Sequence, residues 1–356
     1  MNLKASVIVS TILTLIGTAI LVDGREELRS SGILQLLSSH ADHLKLKPAE
    51  LQLLASGEII AHDLPASNAK EMAGFGLMLA EADPQNFINA FRTLAVFKQS
   101  KNVLACGLFD SQPSLSDLSG LLLKDKDLLE IMRARVNASD VKLSESDILR
   151  FQMIAGPSPS FNTKLILNLS DEYKQILLEK VRDYAARGGD ALITYADQDQ
   201  AVSANDAFTR MLLYHSSSAK HGAPLYTLLS AYPEINQSGA ESYFYWAVQK
   251  FGKLKPVINL VHVVIYQNGR QTFIASKQIY SSHYTEAGLG IAELINFTDQ
   301  NGKSYTLTAY TIRLQVDMLG GSMGFMKRRM AQPRMIETLK ESLRGLRNNV
   351  EAAYRE

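Results

Sequence analysis

The feature that most narrows what this chain can become lies in its C-terminal third. There, β-prone runs follow one another almost without spacer: Pro256 to Gln267, Gln271 to Tyr284, Gly290 to Thr298 and Ser304 to Asp317. Asn268-Gly269 supplies both residues of a tight hairpin turn, and Asp299-Gln300-Asn301-Gly302 forms a second hairpin loop. The runs are therefore expected to pair as an antiparallel meander. Behind them a long helix is expected from about Gly324, because Ile336, Leu339, Leu343, Leu346, Val350 and Ala353 recur at spacings of three and four residues and form one apolar stripe. Pro333 predicts a break or a fresh helix start. Meander and striped helix together place the chain in the α+β class.

At the other end, Ala5 to Val22 contains no Asp, Glu, Lys or Arg, and Asp23, Arg25, Glu26 and Glu27 follow at once. Residues 1–22 read as a signal peptide or signal anchor. The run is short for a span and long for a signal core, so cleavage near Gly17-Thr18-Ala19 and retention both stay open. The expectation is an exported protein, periplasmic or anchored to the inner membrane by this segment. At 356 residues the chain exceeds what one core usually organises. Residues 23–111 read as helices from Glu26 to Leu54, strands at Glu58–Leu64 and Glu71–Ala80, a helix from Asp83-Pro84 through about Phe97, and a strand around Cys106. Residues 112–239 read as helices at Leu115–Leu123, Asp125–Arg135, Ser144–Met153, Ser170–Gly188 and Asn205–Tyr214, and residues 240–356 as meander plus helix.

Glu71–Phe97 resembles the first strand and helix of the START-like superfamily, and Val257–Tyr354 resembles its meander and closing helix. The likeness rests on element order. It implies a helix-grip fold, a curved antiparallel sheet gripping the long C-terminal helix with a hydrophobic cavity between them, and makes residues 112–239 an inserted helical lobe. Strings such as Ala275-Ser276-Lys277-Gln278-Ile279-Tyr280 are also similar to exported bacterial proteins of unassigned function.

Charge and cysteine content remove several classes of function. Thirty-seven Lys and Arg against 36 Asp and Glu give a net charge of +1, unlike a nucleic-acid binder, so no nucleic-acid partner is expected. The single cysteine, Cys106, makes no internal disulfide and no multi-cysteine zinc site; it reads as a small buried hydrophobe. His40 and His43 are spaced for one helix face but lack a third ligand. No Walker loop, GxGxxG, GxSxG or HExxH occurs, and no cofactor is expected.

If Gln271 to Tyr284 alternates regularly, Lys277, Ile279, Ser281 and His283 share one face, and Gln278, Tyr280, Ser282 and Tyr284 the other. Both faces carry polar groups. Either His262, Lys277, His283, Tyr310 and Arg313 anchor an amphipathic ligand in an apolar pocket, or they form a solvated outer face. Tyr245 and Trp246, in the aromatic cluster before the meander, are candidate pocket walls or lobe packing. Met318, Met323, Phe325, Met326 and Met330 stand beside Lys327, Arg328 and Arg329, a combination suited either to a membrane surface or to a hinge and helix core. The leading expectation is a carrier or sensor of a hydrophobic or amphipathic small molecule. Its rivals are a cyclase- or hydrolase-type enzyme using His262 or His283, and a protein scaffold built on the helical lobe.

Overall fold

A computed structural model describes residues 34, 37–38, 46–94, 102–157, 161–218, 223–234, 238–250, 254–269, 271–299 and 301–356. The apolar run Ala5–Val22, the pair His40 and His43, His221 and Phe251 lie outside the described residues, as does most of the helix expected before Leu46. Among the described residues no helix is long and apolar enough to cross a membrane.

The protein is a mixed α+β structure organised on one large, curved antiparallel sheet. Its strands are β1 (Ile60–Asp63), β2 (Glu71–Ala80), β3 (Val103–Leu108), β6 (Ala240–Gln249), β7 (Val257–Asn268), β8 (Gln271–Ser281), β9 (Thr285–Thr298) and β10 (Ser304–Val316), and a small separate ladder of β4 (Thr194–Tyr195) and β5 (Val202–Ser203) falls between β3 and β6 in the chain. The spatial order is β1-β2-β10-β9-β8-β7-β6-β3. The four expected runs thus form a meander, and the early strand β2 closes on the last strand, β10. Gly269, at φ +60°, supplies the left-handed residue the first hairpin needs.

Helices cover both faces. On one lie α2 (Pro84–Arg92) and α8 (Gly324–Arg355), with α8 crossing β2 and β1. Glycines make that approach possible: a Cβ at Gly74 would sit 2.9 Å from Met335 Cε, and one at Gly76 would sit 2.5 Å from Leu343 Cδ1. The helix buries Ala331, Met335, Leu339, Leu343, Leu346 and Val350. The buried stripe therefore differs from the expected one at its ends, where Ile336 is half-buried and Ala353 is exposed. Pro333 does not break α8. It lies on the exposed side, where water can take the carbonyl that its missing N–H leaves free.

On the opposite face sit α3 (Asp125–Arg133), α4 (Glu145–Ala155), α5 (Thr163–Arg187), α6 (Ala204–Ser218) and α7 (Ala223–Ser230), while α1 (Pro48–Ala55) covers the β2–β10 end. This lobe shares its core with the sheet: Tyr173, Leu177, Tyr184, Trp246, Leu260 and Tyr280 belong to one apolar cluster. Several boundaries move. The helix expected from Ser170 starts at Thr163, capped by Asn162, whose side chain accepts from Leu165 N at 3.0 Å. Leu115–Leu123 yields only a 3₁₀ turn at Leu115–Leu118, and the helix after Pro84 ends at Arg92, with Leu94 at φ +52°. The aromatic cluster is itself strand β6.

Candidate functional site

Strand β8 departs from regular alternation. Leu260 faces Tyr280 while Val261 faces Gln278, so Ile279 is an extra, unpaired residue. Such a bulge reverses the alternation beyond it. Lys277 and Tyr280, expected on opposite faces, both point into the helical lobe: the Lys277 amine lies 4.9 Å from the Tyr184 ring centroid, and Tyr280 Oη lies 2.8 Å from Tyr173 Oη, both tyrosines on α5.

The lobe face of the sheet is rich in buried polar groups, and most of them find partners. Arg313 Nη1 meets Glu71 Oε1 at 2.6 Å and donates to Pro65 O at 3.2 Å, with both ionic side chains almost fully buried. Tyr280 Oη donates to Lys142 O at 3.0 Å. The Lys142 amine lies 3.1 Å from Asp197 and 3.4 Å from Asp317.

Lys277 is the exception. It is 1% exposed, and among the described residues no carboxylate stands within ion-pairing distance. Its amine is instead 3.7 Å from the Phe208 ring centroid, on α6. Burial lowers its pKa from 10.5 to about 7. Opposite it on β7 stands His262, fully buried. The imidazole packs 4.9 Å from Phe244 and 4.3 Å from Tyr232, ring centre to ring centre. His262 Nδ1 lies 3.3 Å from Tyr184 Oη, and among the described residues Nε2 has no partner. Burial, reinforced by the Lys277 charge, lowers the imidazole to about 3. A neutral imidazole carries one proton, so a Tyr184 hydroxyl donating to Nδ1 leaves that proton on Nε2, a buried donor.

The other residues singled out from sequence are dispersed. His283 is the middle residue of the β8–β9 turn: its Nδ1 is 2.9 Å from Ser282 Oγ and its Nε2 is 3.5 Å from Glu130 Oε2. Burial would raise the Glu130 carboxyl, but hydrogen bonds from His283 and Lys255 and the charge of Lys255 outweigh it and hold the group at about 2. Tyr284, next in chain, is held at φ +66°. His283 and Ser282 line a small recess with Tyr173 and Ile258. Glu130 lines a separate, open cleft of about 730 Å³ with Arg133, Asp140, Asp197 and Asp199. Neither recess is lined by residues of α8. Tyr310 and Tyr245 belong to the core on the α8 side, and among the described residues the hydroxyls of Tyr310, Tyr243 and Thr308 are buried without partners. Trp246 faces the lobe and donates to Asp117 O at 2.8 Å.

The structure thus pairs His262 with Lys277 and places Arg313, His283, Tyr310, Tyr245 and Trp246 elsewhere. Sequence reasoning missed Tyr184, Phe208 and Tyr232, which complete the aromatic surroundings, and Glu71 and Glu130, the carboxylates of the neighbouring clusters. None carries a local signal, since each comes from an element remote in sequence. Among the described residues no group of three or more His, Cys, Asp or Glu side chains is placed to hold a metal. No family model matches the chain, and no curated protein matches it.

Proposed function

We propose that this chain is an exported START-like protein, working in the periplasm or at the outer face of the inner membrane, that binds a small amphipathic molecule by an anionic head group. Lys277 and His262 take the head, and the rings of Tyr184, Phe208, Tyr232 and Phe244 take the apolar body. The order in which β2 pairs with β10, the meander runs back to β6 and α8 crosses β2 supports the helix-grip assignment.

One observation carries the reading: among the described residues the buried amine of Lys277 has no counter-charge. Unpaired hydroxyls on the α8 side also invite a ligand, but an unmatched hydroxyl costs a few kcal/mol at most, whereas an unmatched buried charge costs far more. The site is therefore assigned to the lobe side. Native mass spectrometry of protein purified from its own host, followed by solvent extraction, should find a small acidic amphiphile released on denaturation. Lys277→Met should fold and lack it. Wild-type protein that carries no such mass, or a Met variant that retains it, would refute the assignment.

A second reading has its own observation. Beside a recess the Ser282 hydroxyl is hydrogen-bonded to His283 Nδ1, and the Glu130 carboxylate stands 3.5 Å from His283 Nε2, a looser version of the order of groups that a nucleophilic hydrolase uses. A fluorophosphonate probe should then label Ser282 in the wild type and not in His283→Gln. Absence of labelling in both rules this reading out.

A further inference from the structure

The first turns of α8 expose what a helix lying on a sheet normally hides. Met323, Phe325, Met326 and Met330 are 46, 79, 57 and 40% exposed, whereas Met335, Leu339 and Leu343 further along are completely buried. The cause is where this end is tethered. Arg328 Nη2 donates to the carbonyls of Asn68 and Ala69 at 2.8 and 2.5 Å, and Gln332 donates to Ala73 O at 2.8 Å. Those polar contacts hold one side of the helix to the loop before β2 and leave its greasy side uncovered. The charge here has one sign: from Gly324 to Arg334 the chain carries Lys327, Arg328, Arg329 and Arg334 and no Asp or Glu. Arg329 and Arg334 are exposed, and Lys327 is half-buried.

An aromatic ring and thioethers interleaved with cations match the boundary between phosphate headgroups and acyl chains, where apolar side chains insert and cations stay at the phosphates. A second copy of this chain fits less well, since a two-fold contact through this patch would set its cations against one another. We propose that the N-terminal end of α8 docks on an anionic lipid surface, with Phe325 and Met326 inserted and Lys327, Arg329 and Arg334 against the phosphates. This does not depend on the ligand site, which lies on the opposite face of the sheet, and either reading can fail alone.

The N-terminal apolar run would itself bind vesicles, so the measurement has to report from α8. The native protein has a single tryptophan, Trp246, which is 2% exposed. Phe325→Trp in the full chain adds an exposed reporter without disturbing the core. Vesicles of equal parts phosphatidylcholine and phosphatidylglycerol with brominated acyl chains should quench it strongly while leaving wild-type emission unchanged. Adding Lys327→Gln, Arg329→Gln and Arg334→Gln should weaken that quenching by about tenfold in lipid concentration, and raised salt should weaken it further. If the Phe325→Trp reporter stays unquenched on anionic vesicles the proposal is overturned, and equal quenching on pure phosphatidylcholine overturns it as well. A mass in solution that halves on Phe325→Ser would show a second copy covering the patch and overturn it too.

Discussion

The two faces of the sheet are built from the same strands and solve different problems. On the α8 side, residues such as Val263, Ile274, Leu294 and Ile312 meet Leu339 and Leu343 in one apolar core, and Gly74 and Gly76 let the helix press close. Packing satisfies most of that face, although the hydroxyls of Tyr310, Tyr243 and Thr308 stay without partners among the described residues. On the lobe side, alternate residues of the same strands are His262, Lys277, Tyr280 and Arg313, all buried, and each needs its own partner. Arg313 has Glu71, and Tyr280 has Tyr173 and the Lys142 carbonyl. Among the described residues Lys277 has no carboxylate beside it, and His262 Nε2 and Arg313 Nε have no partner. Both faces leave neutral groups unmatched, but the lobe face also holds a buried amine with no carboxylate beside it among the described residues, and that spot is where function is to be sought.

The sharpest way to break the comparison is to put a charge on the face held mainly by packing. Leu343 is completely buried, and Leu343→Asp would strand a carboxylate with no partner there. The variant should fail to accumulate as folded protein, while Leu343→Ala should fold and lose roughly 2–5 kcal/mol in urea denaturation. Normal expression and melting of the Asp variant would mean that α8 is a detachable tail, and the division of labour between the faces would collapse.

The next effect belongs to the satisfied polar pair. Arg313→Met should cost about 3–5 kcal/mol, because it leaves Glu71 buried and uncompensated. The double variant Glu71→Leu with Arg313→Met should recover most of that loss. If the two single changes simply add, the pair is not the coupled unit that the 2.6 Å contact implies.

How much of this could be read in advance follows from the range of the forces involved. The meander was legible because its turns carry Asn268-Gly269 and Asp299 to Gly302, and α8 because its stripe is periodic; both signals are local. The β8 bulge was not, since nothing in Lys277-Gln278-Ile279-Tyr280 marks one residue as extra. It arises from pairing with β7. That single slip is why Lys277 and Tyr280 share a face and why a regular alternation misassigned Tyr280. The residues that make Lys277 unusual, Tyr184 and Phe208, lie on α5 and α6, where sequence shows only helix. His262 and Lys277 could be named as polar residues on apolar strands, but that one lacks a counter-charge is a property of the packed molecule. Likewise Tyr310 and Arg313, three apart on one strand, fall on opposite faces, so a pocket drawing on both was never available.

The smallest effect tests the leftover group itself, through its sign. In the unfolded chain the Lys277 amine keeps its ordinary value of 10.5, and in the folded protein burial lowers it to about 7. Between those values the unfolded chain holds a proton that the folded protein lacks, so stability rises with pH across that window. Below about pH 7 both states are protonated and folding bears the whole cost of a buried cation; above about 10.5 that cost is gone. Methionine has comparable length and no charge to bury. Lys277→Met should therefore be more stable than ligand-free wild type by about 1–4 kcal/mol near and below neutrality. Thermal melts of the two proteins should converge as pH approaches 10.5. Comparing the pair removes the tyrosines, whose titrations are common to both, and His262, lowered to about 3 in the wild type, titrates below the window. A Met variant less stable than wild type, or a difference that does not change with pH, would mean that the amine already has a partner, and the unsatisfied spot on the lobe face would vanish along with the ligand assigned to it.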